Sequence, residues 1–211
     1  MADRNAQKVG IMGGTFDPIH IGHLILGENA WRQFCLDTVL FMPSANPPHK
    51  KDRIGRASVE ERIDMVRLAI EGNPHFKLSL EEAHCEDYCY TRETLRKLNE
   101  KHPDTEYYFI MGADSLFNFE TWKDPGEICS RCVLVAAVRD HVTEQPFQSQ
   151  IRYLKEKYQA QIETLATPNI DISSHDIRKW VRTGDISLRY YVPDKVISYI
   201  MKKNLYSECE Q

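Results

Sequence analysis

The stretch Gly13-Gly14-Thr15-Phe16-Asp17-Pro18-Ile19-His20-Ile21-Gly22-His23 gathers a glycine pair, an Asp-Pro turn and two histidines spaced three apart. Glycine lets backbone amides approach an anion with no Cβ in the way, and imidazoles donate hydrogen bonds to oxyanions. The chemistry this set suits is the holding of nucleotide phosphates. The glycine spacing is wrong for the G-x-G-x-x-G dinucleotide fingerprint, and no lysine follows as in G-x-x-x-x-G-K-[ST]. Another way of binding phosphate is needed.

The flanking residues place the histidines. Lys8 to Met12 is an apolar run that reads as a buried strand, after which the glycine pair lets the chain turn. From about Ile21, the run Leu24-Ile25-Leu26-Gly27-Glu28-Asn29-Ala30-Trp31 carries a helical period. His20 and His23 therefore straddle a helix start. Residues three apart share a helix face, so both rings can address the same oxygens beside the positive end of the helix dipole. Gly22 between them keeps the approach open. Each element alone also fits a plain turn with surface histidines; their joint occurrence favours the phosphate reading.

Other residues extend the set. Pro43-Ser44-Ala45-Asn46-Pro47-Pro48-His49-Lys50 is a stiff loop ending in cations, readable as a phosphate contact or as a solvated proline turn. In Gly112-Ala113-Asp114-Ser115, Asp114 can cap a short helix or bond a ribose hydroxyl. Trp122-Lys123-Asp124-Pro125 sets an indole before a cation at a loop-to-helix turn, which suits packing or ring stacking. Ser173-Ser174 begin a helix carrying Arg178 and ending near Thr183-Gly184, which is an N-cap or an anion site with a guanidinium alongside.

The elements that must position these residues alternate. Thr38 to Met42, Phe76 to Leu80, Tyr107 to Met111 and Val133 to Val138 read as strands. Helices lie between them: Ser58-Val59-Glu60-Glu61 is a capping box ahead of the stripe Ile63, Val66, Ile70, and Thr91 to Lys101 turns Leu95 and Leu98 inward. Near-continuous apolar strands separated by helices predict an α/β doubly wound parallel sheet, with ligands at the carboxyl ends of the strands. One domain over 1–211 is expected, with a helical C-terminal part from about 173 that includes Pro193 to Lys203. Asp140 to Gln150 reads as a polar, mobile stretch.

With 211 residues and a formal charge of −4, the composition disfavours a broad nucleic-acid surface. No signal core or membrane-length run occurs, so a cytoplasmic protein without a membrane partner is expected. The six cysteines read as reduced thiols. A four-thiolate zinc site from Cys85, Cys89, Cys129 and Cys132 is the less favoured alternative, because turn residues do not bracket the pairs. Tyr190-Tyr191 and Tyr206 are expected to be exposed, in a position to serve self-association.

Thr15-Phe16-Asp17-Pro18 with His20-Ile21-Gly22-His23 resembles the T/H-x-G-H signature of the nucleotidyltransferase superfamily. The proline-rich loop, G-A-D-S-L, the Thr91 and Trp122 segments and the I-S-S-x-x-I-R start, in the same order, narrow the resemblance to bacterial nicotinate-mononucleotide adenylyltransferases. The resemblance implies a Rossmann-like nucleotidyltransferase fold and transfer of AMP from ATP to nicotinate mononucleotide, giving nicotinate adenine dinucleotide and pyrophosphate. It also implies the ligands. ATP would meet Gly13, Gly14, Thr15, Phe16, His20, His23, Gly112, Asp114, Ser174 and Arg178; nicotinate mononucleotide would meet Lys50, Thr91, Asp114, Trp122 and Lys123. Of these, His20, His23, Lys50 and Arg178 would serve catalysis, and Mg2+ would ride on ATP's phosphates without a metal site of the chain's own. The Trp122 indole would stack on the pyridine, while the Thr91 hydroxyl and Lys123 N–H hold its carboxylate. His175 stands where that family has threonine, exchanging a hydroxyl for an imidazole that is a cation below its pKa. Three alternatives stay open: a sister adenylyltransferase using nicotinamide mononucleotide or phosphopantetheine, a non-catalytic nucleotide-binding regulator, and an RNA-binding relative of synthetases.

Overall fold

The apolar runs become strands buried on both faces of one sheet. In the computed structural model, which describes residues 6–45, 55–83, 88–137 and 144–207, the strands are Gln7–Gly14 (β1), Thr38–Pro43 (β2), Phe76–Leu78 (β3), Thr105–Gly112 (β4), Val133–Ala137 (β5) and Ile162–Leu165 (β6). All neighbours are parallel, in the order β3-β2-β1-β4-β5-β6. The helices are Ile21–Gln33 (α1), Val59–Ile70 (α2), Thr91–Lys101 (α3), Ala113–Phe117 (α4), Pro125–Cys129 (α5), Glu144–Tyr158 (α6), Ser174–Thr183 (α7) and Asp194–Lys202 (α8), with a 3-10 turn at Phe119–Thr121.

The strand alternation divides the core in two. Met12, Phe41, Ile110 and Val135 face one way, against Ala30, Met65, Val66, Ile177 and Ile200 of α1, α2, α7 and α8. Ile11, Met42, Phe109 and Leu134 face the other, against Leu95, Leu116, Ile128 and Phe147 of α3 to α6. Each large side chain taken fully from water stabilises this sandwich by about 1.5–3 kcal/mol. The α/β doubly wound fold expected from sequence is what forms. The strand order reverses between β1 and β4, and a crevice opens there at their carboxyl ends.

Several local expectations hold and several change. Ser58 Oγ accepts from Glu61 N at 3.2 Å while Glu61 Oε2 accepts from Ser58 N at 2.8 Å, so the capping box opens α2 as read. The glycine pair is not the turn itself: β1 runs through it, with Gly13 opposite Met42 and Gly14 opposite Pro43. The turn follows at Phe16, whose φ is 51°. Gly14 leaves room for the Phe16 ring folded back over it, since a Cβ there would lie 3.2 Å from that ring and crowd it. β3 ends at Leu78, before the exposed Leu80.

The stretch expected to be polar and mobile contains the start of α6 from residue 144. Its apolar residues Phe147, Ile151 and Leu154 are buried on one face of an otherwise polar helix, and Pro146 falls in the first turn, where a missing N–H costs nothing. β6 went unread because Glu163 and Thr164 between buried Ile162 and Leu165 hide its strand character. Among the described residues, no helix is long and apolar enough to cross a membrane.

Candidate active site

A cavity of about 420 Å³ occupies the crevice. Its lining includes Gly13, Gly14, Thr15, Phe16 and His23 from the end of β1 and the start of α1, Gly112 and Asp114 from the end of β4 and the start of α4, and Thr91, Trp122, Ser174 and Arg178. Residues scattered over most of the chain thus meet around one space. Lys50 lies outside the described residues, as do His49 and Cys85.

The two histidines have different places. His20 is the N-cap of α1 and is 2% exposed, and it is not among the lining residues. Its ring lies 3.7 Å from the His23 ring, centroid to centroid. The His20 backbone N–H donates to His23 Nδ1 at 3.2 Å. In neutral His23 that leaves the proton on Nε2, so its tautomer is set by the helix start. Phe16 braces the same ring edge-on at 5.1 Å. Gly22 eases this arrangement, since a Cβ there would come 3.1 Å from His20 Cε1 and Nδ1 and press on that ring.

The loop between β1 and α1 is held from three directions. Arg62 of α2, 4% exposed, donates from Nη1 to Thr15 O at 2.6 Å and to Ser44 O at 2.8 Å. Burial draws its guanidinium below the ordinary value, and the nearby Asp17 charge opposes that shift. Arg178 of α7 donates to Asp17 O at 2.6 Å and lies 3.7 Å from Asp17 Oδ2. Ser174 Oγ donates to Pro18 O at 2.9 Å, while Ser173 is the cap, accepting from Asp176 N. His175 is exposed and is not among the lining residues.

The third hold comes from the far end of the chain. Tyr206 OH donates to Asp17 Oδ1 at 2.7 Å, and Ala57 N donates to the same oxygen at 3.2 Å. Tyr206 is therefore buried, contrary to the expected exposure, because its hydroxyl has a buried carboxylate to bond. Burial first, and then the Asp17 charge, hold that phenol far above its ordinary value. Tyr190 and Tyr191 are both exposed as expected, Tyr191 with one side of its ring against Trp180 at 5.0 Å.

On the opposite wall Asp114 is exposed in the first turn of α4, and the N-cap there is Gly112 with no side-chain cap, so the capping role read for Asp114 is not the one it takes. The half-buried Trp122 ring packs edge-on to Phe109 at 5.8 Å and against Phe119 at 5.5 Å. Lys123 is not among the lining residues, and its Nζ lies 4.2 Å over the Tyr90 ring and 3.4 Å from Glu93 Oε1. Beneath this wall, buried Glu82 accepts from Ser44 Oγ at 2.6 Å and from Thr94 Oγ1 at 2.8 Å.

Sequence reasoning missed Arg56, Arg62, Glu82 and the Tyr206 contact. Arg56 lines the cavity just before the Ser58 cap. Its only signal was a cation ahead of a capping box. Cys129 and Cys132 are buried, and burial pushes the Cys129 thiol up to about 11 and Cys132 higher still, so both behave as core thiols. Among the described residues, no three His, Cys, Asp or Glu side chains come together as metal ligands.

Known proteins resemble this chain in sequence and in fold. The cytidylyltransferase-like family model matches residues 11–180. A protein of Lachnoclostridium phytofermentans is 45% identical over 201 residues, covering 95% of this chain and 99% of that protein. One of Clostridium novyi is 39% identical over 200 residues, covering 95% and 99%. Both are named "Probable nicotinate-nucleotide adenylyltransferase". The solved Plasmodium falciparum nicotinic acid mononucleotide adenylyltransferase, complexed with NaAD, superposes with a TM-score of 0.78 at 19% identity, over 95% of this chain and 97% of that one. At that identity the likeness is one of fold.

Proposed function

The chain belongs to the nicotinate-nucleotide adenylyltransferase family, and from that membership we propose how its residues transfer AMP from ATP to nicotinate mononucleotide. The products are nicotinate adenine dinucleotide and pyrophosphate, a step of NAD biosynthesis. The observation that carries the assignment of roles is the single cavity joining His23, Arg178, Asp114, Thr91 and Trp122.

A phosphate oxygen of the mononucleotide attacks the α-phosphorus of ATP. The new O–P bond forms as the bond to the β-phosphate oxygen breaks, and pyrophosphate leaves with the electron pair. The nucleophile is already ionised, so positioning and charge stabilisation are the main tasks. His23 donates from Nε2 to the α-phosphate, and His20 holds that ring in its tautomer from behind. Backbone N–H groups at Gly14 to Phe16 face the phosphates, and Arg178 with the Ser174 helix start takes the β and γ groups. Lys50 neutralises the incoming phosphate, with Arg56 as a second cation.

Asp114 bonds ribose hydroxyls. Trp122 stacks on the pyridine, and Thr91 Oγ1 with Lys123 N–H holds the carboxylate. An amide would set its NH2 against these donors, an unpaired polar contact that lowers its use. The lining cations Arg56 and Arg178 suit phosphate oxygens, so the fit is to Mg2+ carried by ATP, which supplies charge screening to the leaving pyrophosphate. The same reading takes the whole chain as one catalytic domain in the cytoplasm, with small-molecule substrates and no nucleic-acid partner.

Direct attack is tested with ATP made chiral at the α-phosphorus by sulfur substitution. One displacement inverts that centre in the dinucleotide. Retention would require an adenylylated protein and would refute the direct step.

A further inference from the structure

Arg92 bridges the two segments that the proposed carboxylate site draws on. Its neighbour Thr91 opens α3 and lines the cavity; Trp122, which lines it too, is followed by Lys123 and Asp124. Arg92 itself is not among the lining residues. Its Nη1 donates to Asp124 Oδ2 and its Nη2 to Glu93 Oε1, while Nε lies 3.6 Å from Glu127 Oε2 of α5. One guanidinium thus ties the start of α3 to both ends of the turn after Lys123. The planar fork is what makes this possible, since an ammonium cannot present fixed donors to three carboxylates in one plane.

The turn it grips needs holding. Asp124 has φ 50° and ψ 64°, a left-handed conformation, and stands immediately before Pro125. That region costs a non-glycine residue free energy, less for aspartate than for most, and a following proline narrows its choices further. The backbone of Lys123, whose N–H is one of the two proposed carboxylate donors, leads directly into this residue. Lys123 Nζ adds a second link back to α3 through Glu93 Oε1 at 3.4 Å.

We propose that Arg92 is the positioning residue for acid recognition: by fixing Asp124 it sets the Lys123 N–H at the separation from Thr91 Oγ1 that a pyridine carboxylate requires, and so sets the preference for acid over amide. This rests on the proposed role of Thr91 and Lys123. Arg92 and Asp124 are partly exposed, with side-chain accessibilities of 27% and 55%, so their pair contributes little to global stability. Specificity and stability therefore separate.

The test uses the full chain and its Arg92→Ala, Arg92→Lys, Asp124→Asn and Arg92→Ala/Asp124→Asn variants. The readouts are kcat/KM with nicotinate and with nicotinamide mononucleotide, KM for ATP, and Tm. Arg92→Ala is expected to lower the acid-to-amide ratio about tenfold or more, because small displacements of a binding group cost about that much, with the loss in KM for the acid. Its KM for ATP should stay within about twofold, and Asp124→Asn, which loses a single screened pair, should keep its Tm within about 2 °C of the parent. Arg92→Lys should fall between, and the double variant should lose no more than the worse single one, since the two side chains act as a unit. An unchanged ratio in Arg92→Ala and Asp124→Asn, with the parent still preferring the acid, overturns the positioning role alone. A parent with no preference for the acid overturns it together with the reading of Thr91 and Lys123, and that failure is seen before any substitution is made. A fall in Tm in Arg92→Ala, with the ratio kept in Asp124→Asn, also overturns it.

Discussion

Replacing Tyr206 by phenylalanine removes one oxygen and tests how Tyr206 supports the loop between β1 and α1 that is proposed to hold phosphate. The ring stays buried, so the change isolates the 2.7 Å hydrogen bond to Asp17 Oδ1. Hydrogen bonds to charged groups contribute about 1.5–3 kcal/mol. Asp17 Oδ1 keeps the Ala57 N–H at 3.2 Å, and no donor is orphaned when the hydroxyl goes, so the lower half of that range applies. A loss of about 2 kcal/mol corresponds to a Tm lowered by about 4–8 °C for a chain of this size.

The same substitution should reach the chemistry, because Asp17 O accepts from Arg178 at 2.6 Å on the cavity wall. We expect kcat to fall about three- to tenfold, as a loosened phosphate loop costs alignment. The pH dependence has a defined sign. The native phenol sits far above its ordinary 10.0, so its contribution is complete below pH 10. Above pH 10 the unfolded chain gives up that proton while the native one keeps it, and stability falls by up to about 1.4 kcal/mol per pH unit. The Tyr206→Phe variant lacks this loss, so melting curves of parent and variant should converge above pH 10. A variant as stable and active as the parent at pH 7.5, or a gap that widens above pH 10, would refute the reasoning.

His23→Ala should lower kcat by about 10²–10³ with KM for ATP changed only severalfold, since the lost contact belongs to the transition state; steady-state kinetics that show weakened binding at normal turnover would count against it. Gly14→Ala forces a Cβ to 3.2 Å from the buried Phe16 ring, and about 1–3 kcal/mol of overpacking cost is expected in denaturant melts, with poorer ATP use. Among the described cysteines, exposed Cys35 should alkylate first at pH 8 in peptide mass spectra. Buried Cys129, with its thiol pushed up to about 11, and Cys132 should react only on unfolding.

The parts legible in the sequence were those with a local signal. Apolar runs such as Tyr107 to Met111 announce a strand buried on both faces, and Ser58 with Glu61 announces a helix start whatever lies beyond. The Gly13 to His23 stretch likewise places its own turn and helix, and most of the residues read for the site line one cavity, His20 and Lys123 excepted and Lys50 outside the described residues. What could not be read depends on partners far along the chain. Tyr206 looks like a surface aromatic until Asp17, 189 positions away, is brought to it. Arg62 looks like a solvated charge on an amphipathic helix, and only the tertiary fold turns it to Thr15 O and Ser44 O. Buried Glu82 bonds Ser44 and Thr94, neither of them a sequence neighbour. In α6 the polar majority outweighed the stripe Phe147, Ile151, Leu154, and in β6 only the two end residues are buried.

The most direct measurement is pyrophosphate release from ATP and magnesium with nicotinate mononucleotide, nicotinamide mononucleotide and phosphopantetheine offered in parallel. The account predicts rapid release with the nicotinate substrate, far slower release with the amide and none with phosphopantetheine. Equal use of acid and amide would contradict the carboxylate site at Thr91 and Lys123, and no release with any of the three would contradict adenylyl transfer itself.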